Sequence, residues 1–465
     1  MVSSNIGKAL EIGPRTAFVL LCILLNDSGQ ARPTLLAQAP RQAGAAPTES
    51  PQADPAREAR IKAAGIRRLD GQHLTLYTDL PSSPEIDSLP ALFEQALPEW
   101  CQYFAMPEFA ERPWHVTGCL MKDRTRFKAV GLLPADLPEF LHGYTRDNQI
   151  WLGEQPSDYY RRHLLLHEGA HAFMFAAFGT CGPPWYMEGM AELLGTHLLT
   201  DGKLRLAWFP PRREDVPMWG RVKLVQEGLA AGRRLSLDQI LAIGPQAHLK
   251  TEPYGWCWAA AAFLDGHPKY RERFRKLPAE LRQPEFNARF RELFAADWSE
   301  LNDEWQLFVA NLDYGYDLAR EAIDFSPGQP LPATGKKVSI AADRGWQSSG
   351  IKVEAGVEYR LTASGRYQVA DKPRIWWCEP GGVSIRYVRG QPLGVLLAAV
   401  RPEANGSVGA NAHEGGFLQP LVVGLGATLV PKQSGTLYLR INESPAELAD
   451  NKGAVDVRVE PVTKH

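Results

Sequence analysis

Apolar and polar positions follow three successive patterns along this chain, each predicting a different kind of structure. His73-Leu-Thr-Leu-Tyr-Thr alternates with the period of a strand, Leu89 to Phe104 repeats its apolar residues at helical spacing, and Trp114-His-Val-Thr-Gly-Cys-Leu-Met returns to a strand. Phe140 to Leu152 reads as a strand and hairpin, and a strongly apolar helix follows it. From Trp185 to about Leu312 the pattern is mostly helical, including Tyr254 to Leu264, Phe286 to Phe294 and Trp298 to Ala310, with Pro-containing turns between. Near Asp324-Phe-Ser-Pro-Gly-Gln-Pro the character changes. Ile351-Lys-Val-Glu-Ala-Gly-Val-Glu-Tyr-Arg-Leu-Thr-Ala and Gly435-Thr-Leu-Tyr-Leu-Arg-Ile alternate between Gly turns. The expectation is an α+β domain over residues 64–325, with a small strand-rich half and a helical half, followed by an all-β sandwich of about eight short strands over 326–465.

The first residues carry a different signal. Lys8 and Arg15 precede the apolar run Thr16 to Leu25, and a polar stretch ends in Ala37-Gln38-Ala39, the layout of a signal peptide over residues 1–39, with Ala31 as the other cleavage option. The run falls short of the roughly 20 residues a membrane-spanning helix needs. The expected mature chain therefore has no membrane span and is secreted, or resides in the periplasm or cell envelope. Leu21 before Cys22 departs from the small residue that a lipoprotein signal carries there. Residues 40–63, rich in Ala, Pro and Gln, read as a disordered linker.

Composition narrows the partners. With 45% hydrophobic residues the chain has material for real cores, and 51 basic against 53 acidic residues give no basic field for nucleic acid. The five cysteines beyond the signal segment, Cys101, Cys119, Cys181, Cys257 and Cys378, suit neither a CxxC metal knuckle nor a dense disulfide framework. A bridge between Cys181 and Cys257 is one option, since each flanks a segment discussed next.

His167-Glu168-Gly169-Ala170-His171 spells HExxH. Residues four apart share one helix face at about 6 Å, so two imidazoles can converge on one metal ion, while Glu168 points aside to activate a metal-bound water. A catalytic zinc takes a third protein ligand and keeps one position open. Glu188, in Trp185-Tyr-Met-Glu188-Gly189-Met-Ala191-Glu192, is the candidate, since Gly179-Thr-Cys-Gly-Pro-Pro184 leaves room for a loop and Pro184 suits a helix start. Glu192, one turn on, is expected to accept the free ring N–H of a liganding histidine. Gly169, Ala170, Gly189 and Ala191 are expected to remove bulk where the two helices approach. His163 lies on the same face one turn early, but a site with three better donors does not need it.

HExxH followed by Trp-x-x-Glu-Gly-x-Ala resembles the gluzincin metallopeptidases, in particular the secreted bacterial peptidase MA-like set. The resemblance spans roughly residues 70 to 310 and implies a zincin-like fold, one zinc ion held by His167, His171 and Glu188, Glu168 as general base, and a protein or peptide substrate. In that family a downstream tyrosine or histidine stabilises the oxyanion, which implies Tyr254; the other reading is that Tyr254 packs beside Trp256 and Trp258. Gluzincins also place an edge strand where Phe140 to Leu152 lies, able to pair with an extended peptide. The Gly-x-Met-Glu-Asn run of the aminopeptidase branch is missing here, which favours an endopeptidase.

The last part resembles a galactose-binding-like, LecA-type lectin sandwich over roughly 335 to 462, through Trp346, Gly350-Ile-Lys-Val, Gly435 to Asn442 and Asp450-Asn451-Lys-Gly453-Ala-Val-Asp-Val. That resemblance implies a calcium ion held by oxygens of the last loop, with Asn442, Glu443, Asp450 and Asn451 as donors, and a glycan partner. Asp-Asn-x-Gly is equally an ordinary strand-connecting turn. The alternative for the whole chain is a non-catalytic envelope or extracellular protein that binds glycan or protein, with a structural or inactive zinc module.

Overall fold

Two blocks of structure follow one another, an α+β part and a β-rich part, in a computed structural model that describes residues 54–246, 250–402 and 416–462. The expected signal segment, 1–39, lies outside the described residues. The linker reading of 40–63 needs correcting at its end. Pro55–Ala63 forms a helix, α1, capped by the Asp54 side chain on the Ala56 N–H, with Glu58 in its first turn and Arg60 and Lys62 in its last. Composition hid these capping signals. Ile61 is buried, and Glu58 accepts the Tyr77 hydroxyl at 2.7 Å.

The α+β part is built on a five-stranded sheet. β1 (Arg67–Asp70), β2 (Leu74–Thr78), β3 (Val116–Met121), β4 (Gly143–Arg146) and β5 (Gln149–Gly153) lie in the order β1-β2-β3-β5-β4. β2, β3 and β5 run parallel, joined through α2 (Leu89–Tyr103) between β2 and β3, so these strands are covered on both faces and read as apolar runs. β4 pairs antiparallel with β5 alone, which leaves it at the sheet edge.

Helices make up the other half: α3 (Asp158–Phe178), α4 (Pro184–Gly195), α5 (Arg221–Ala230), α6 (Glu252–Gly266), α7 (Phe286–Phe294) and α8 (Trp298–Ala310). Ser157 caps α3 on the Tyr160 N–H, and Gly179 ends it at φ 76°, a conformation cheap only for glycine. The glycines near the motif do not separate α3 from α4, as the sequence suggested. A β-carbon on Gly169 would meet Phe93 and Trp100 of α2 at 2.7 Å, and one on Gly189 would meet the Cys257 carbonyl of α6 at 2.8 Å. The close approach of α3 and α4 falls at Gly195, where a β-carbon would press on the His163 ring at 3.1 Å.

The C-terminal part packs two sheets around an apolar core that includes Ile351, Leu361, Leu437, Leu439, Val455 and Val457. One sheet orders Leu421–Val422, Leu396–Pro402, Gly435–Ile441, Gln347–Val353 and Gln329–Pro330; the other orders Gly426–Leu429, Tyr359–Ser364, Ala454–Pro461 and Lys336–Ala341. Among the described residues these sheets hold nine strands, with two short ribbons besides, against an expected count of about eight; Gln329–Pro330 and Leu421–Val422 are too short to read by alternation.

Buried charge joins the two parts. Arg440 of the sandwich meets both Glu321 oxygens, at 3.0 and 3.2 Å, with both side chains almost fully covered. Glu304 of α8 accepts the Ile323 N–H at 2.7 Å, His267 at 3.0 Å and the Tyr270 hydroxyl at 2.5 Å. The link between the parts is thereby fastened at Glu321 and Ile323. Among the described residues no helix is long and apolar enough to cross a membrane.

Candidate metal centre

α3 presents His167 and His171 one turn apart, and α4 brings Glu188 to meet them. The His167 and His171 Nε2 atoms lie 3.1 Å apart, and Glu188 Oε2 lies 3.4 Å from the first and 3.5 Å from the second. A point about 2 Å from all three atoms exists, the length of zinc bonds to nitrogen and oxygen. Glu188 Oε2 and His171 Nδ1 are buried without a hydrogen-bond partner. Two nitrogens and a carboxylate oxygen of this kind fit a zinc ion.

Protonation follows the same geometry in the metal-free chain. Burial pulls the His167 imidazole down, but the Glu188 and Glu192 carboxylates outweigh it and leave it raised to about 9. Burial pushes Glu188 up, and the two imidazoles beside it overcome that, holding it at about 2. The protons of the trio thus sit on the imidazoles while the carboxylate is ionised, and a bound metal ion would release them.

Glu168 points to the other side, toward the edge strand. Thr145 Oγ1 of β4 lies 2.5 Å from Glu168 Oε2 and 3.1 Å from its carbonyl oxygen. Gly143, two residues earlier on the same strand face, has no side chain because Glu168 fills that space: a β-carbon would sit 2.8 Å from the carboxyl carbon. Burial raises Glu168 above the ordinary carboxylate value, against the pull of His167 and His171. A carboxylate raised by its environment and held beside a polarised water is suited to take and return a proton.

Glu192 Oε1 lies 3.4 Å from His167 Nδ1. Its partner was not foreseen. Arg221, the first residue of α5, sets Nε and Nη2 each 2.7 Å from a Glu192 oxygen and Nη1 2.8 Å from the Trp219 carbonyl. No motif surrounds Arg221, so no sequence signal pointed to it. Gly143 and Thr145 did carry one, the period-2 spacing that puts both on one face of an edge strand.

Tyr254 is in the first turn of α6, its ring centroid 6.1 Å from that of His167, with the Arg221 guanidinium 5.9 Å from its own ring. Burial, then the Glu188, Glu168 and Glu192 carboxylates, raise its hydroxyl well above the ordinary range, so it stays a proton donor. His163 is fully buried, with Nε2 3.2 Å from Glu192 Oε2. Cys181 and Cys257 are both free, which removes the bridge between them; the Cys181 thiol meets the His171 carbonyl at 3.5 Å, and Cys257 lies buried in α6.

In the sandwich, Asn442 spends its amide N–H groups on the Val388, Gln391 and Pro392 carbonyls at 3.0 to 3.2 Å. Glu443 Oε2, Asp450 Oδ1 and Asn451 Oδ1 are buried with no donor. Burial raises the Glu443 carboxyl to about 8 and lifts Asp450 too. Oxygens are the donor type that calcium takes.

No protein-family model matches the chain, and no curated protein matches it. Among solved structures, it is similar to a chain described as "EclA N-terminal domain; PllA-like lectin", at 18% identity and a TM-score of 0.20, covering 27% of this chain and 95% of that one.

Proposed function

We propose that the chain is a secreted zinc-dependent peptidase of gluzincin type, acting as an endopeptidase on protein or peptide substrates. The observation that carries the reading is the meeting of His167 Nε2, His171 Nε2 and Glu188 Oε2 within 3.5 Å, with the Glu168 carboxylate held beside them by Thr145. Zinc, when bound, supplies an acidified water and a Lewis acid for the carbonyl. Glu168 would take a proton from the attacking water as its oxygen bonds to the carbonyl carbon, and return it to the amine that leaves when the C–N bond breaks. Thr145 and Gly143 fix the direction of its carboxylate. Tyr254 offers a hydroxyl to the developing oxyanion, a contribution of about 3 kcal/mol to the barrier where one such donor is lost. The free side of β4 supplies main-chain groups that can pair with an extended peptide, which supports cleavage within a chain.

The test compares wild type with Glu168→Gln on a peptide library, with metal analysis of both. Equal zinc in the two, and turnover reduced at least about 10²-fold in the variant, is the expected result. Zinc with no cleavage of any peptide by wild type would favour the rival reading, an envelope or extracellular binding protein with a structural metal module.

A second reading concerns the sandwich alone: that Glu443, Asp450 and Asn451, with Asn442, hold calcium and through it a glycan. It is favoured by the three buried oxygens without donors. Calorimetry of the full chain with calcium and simple galactosides tests it, and flat traces would remove it.

A further inference from the structure

Two trios of metal-ligating side chains overlap at His167. The first is His167, His171 and Glu188; the second is His163, His167 and Glu192, and in each the ligand atoms lie within 4.8 Å of one another and every residue is buried. In the second, His163 Nε2 is 3.2 Å from Glu192 Oε2 and His167 Nδ1 is 3.4 Å from Glu192 Oε1. His163 is 1% exposed, yet neither of its ring nitrogens has a hydrogen-bond partner, the Glu192 oxygen lying off the N–H direction. An imidazole buried with both nitrogens unmatched is costly, and its neighbours His167 and Glu192 are of metal-ligating type.

A guanidinium separates the two trios. Arg221 grips both Glu192 oxygens at 2.7 Å, is tied to the Trp219 carbonyl, and lies 3.4 Å from the Tyr160 hydroxyl. Glu188, by contrast, is within ion-pair distance of only His167 and His171 among the described residues. A divalent ion on Glu192 would have to break two charge-assisted bonds and sit beside the positive charge it displaced. A neutral imidazole also offers one lone pair at a time. With the His167 Nδ1–H turned toward Glu192, Nε2 is left for the metal.

We propose that Arg221 is a built-in cation that closes the His163–His167–Glu192 trio to metal and so commits the ion to His167 Nε2, His171 and Glu188. This rests on reading the first trio as a metal centre. Removing the guanidinium opens a competing site of imidazole and carboxylate character, which takes His167 through Nδ1 in place of Nε2.

The test is zinc stoichiometry of the full chain after equilibrium dialysis, together with the visible spectrum of the cobalt-substituted protein. Wild type and Arg221→Lys, which keeps the charge, bind one equivalent with the same spectrum. Arg221→Met binds one equivalent divided between the two trios and shows a changed cobalt spectrum, and adding His163→Ala restores the wild-type spectrum. Arg221→Met holding one equivalent with the wild-type spectrum would overturn the proposal. If Arg221→Met does not fold, His163→Ala alone decides: one equivalent with an unchanged spectrum supports the closed trio, whereas loss of the ion or a changed spectrum means that His163 already ligates it. A wild-type chain that takes up no metal removes the metal-centre reading itself.

Discussion

Replacing Gly143 by alanine adds one methyl group and changes no chemical function, so it isolates the placement of Glu168. Gly143 opens β4 opposite Leu152, and its backbone is not in the left-handed region, so alanine is acceptable to the strand itself. Its β-carbon would stand 2.8 Å from Glu168 Cδ and 2.9 Å from Cγ, whereas ordinary contact begins at 3.4 Å. Glu168 Oε1 would lie closer still, so the carboxylate must retreat by roughly 1 Å to reach ordinary contact, and it has little room to do so. Glu168 is 5% exposed and tied to Thr145. A shift of about 1 Å at a reacting group costs on the order of 10²-fold in rate, equal to about 2.7 kcal/mol of barrier. The assay is steady-state cleavage of a peptide that wild type accepts, with zinc content and thermal unfolding measured alongside. We expect kcat to fall about 100-fold, with zinc retained, because none of the three ligands touches Gly143. Wild-type kcat in Gly143→Ala would refute the role given to Glu168, and loss of zinc would refute the separation of base from ligands.

Two further outcomes follow from buried charge in and around the sandwich. Arg440→Met leaves the Glu321 carboxylate buried and uncompensated, which should cost about 3–5 kcal/mol; an unchanged urea midpoint would contradict it. Glu443, raised to about 8, favours the native state most when protonated. Its contribution is full below about 4.5 and is lost as pH rises through about 8, because the native state holds its proton longer than the unfolded chain does. The stability of wild type relative to Glu443→Gln should therefore decline across that window in calcium-free buffer and flatten with saturating calcium; parallel curves with pH would contradict this.

Local spacing made much of this architecture readable. α7 and α8 begin and end where the apolar periodicity puts them, and the four-residue interval between His167 and His171 places both on one face of a single helix. Glu188 was reachable because a loop and a helix start, Pro184, fit between the motifs. What escaped was non-local. That Gly143 and Thr145 face Glu168 depends on how β4 lies along α3, and that Arg221 grips Glu192 depends on how α4 and α5 both pack against α6. The glycines show the same limit. Gly169 and Gly189 were recognisable as sites of close approach, but the partners, α2 and α6, were not. The helix at Pro55 was lost in the Ala- and Pro-rich composition around it, although Asp54 and Glu58 carried its capping signal.

Zinc K-edge X-ray absorption on the full chain loaded with one equivalent of metal tests the centre most directly. Two imidazole nitrogens and a carboxylate oxygen at about 2.0–2.2 Å, beside a solvent oxygen, are expected, with the shell altered in Glu188→Ala. A shell indifferent to that substitution, or a chain that retains no stoichiometric zinc, would contradict the account.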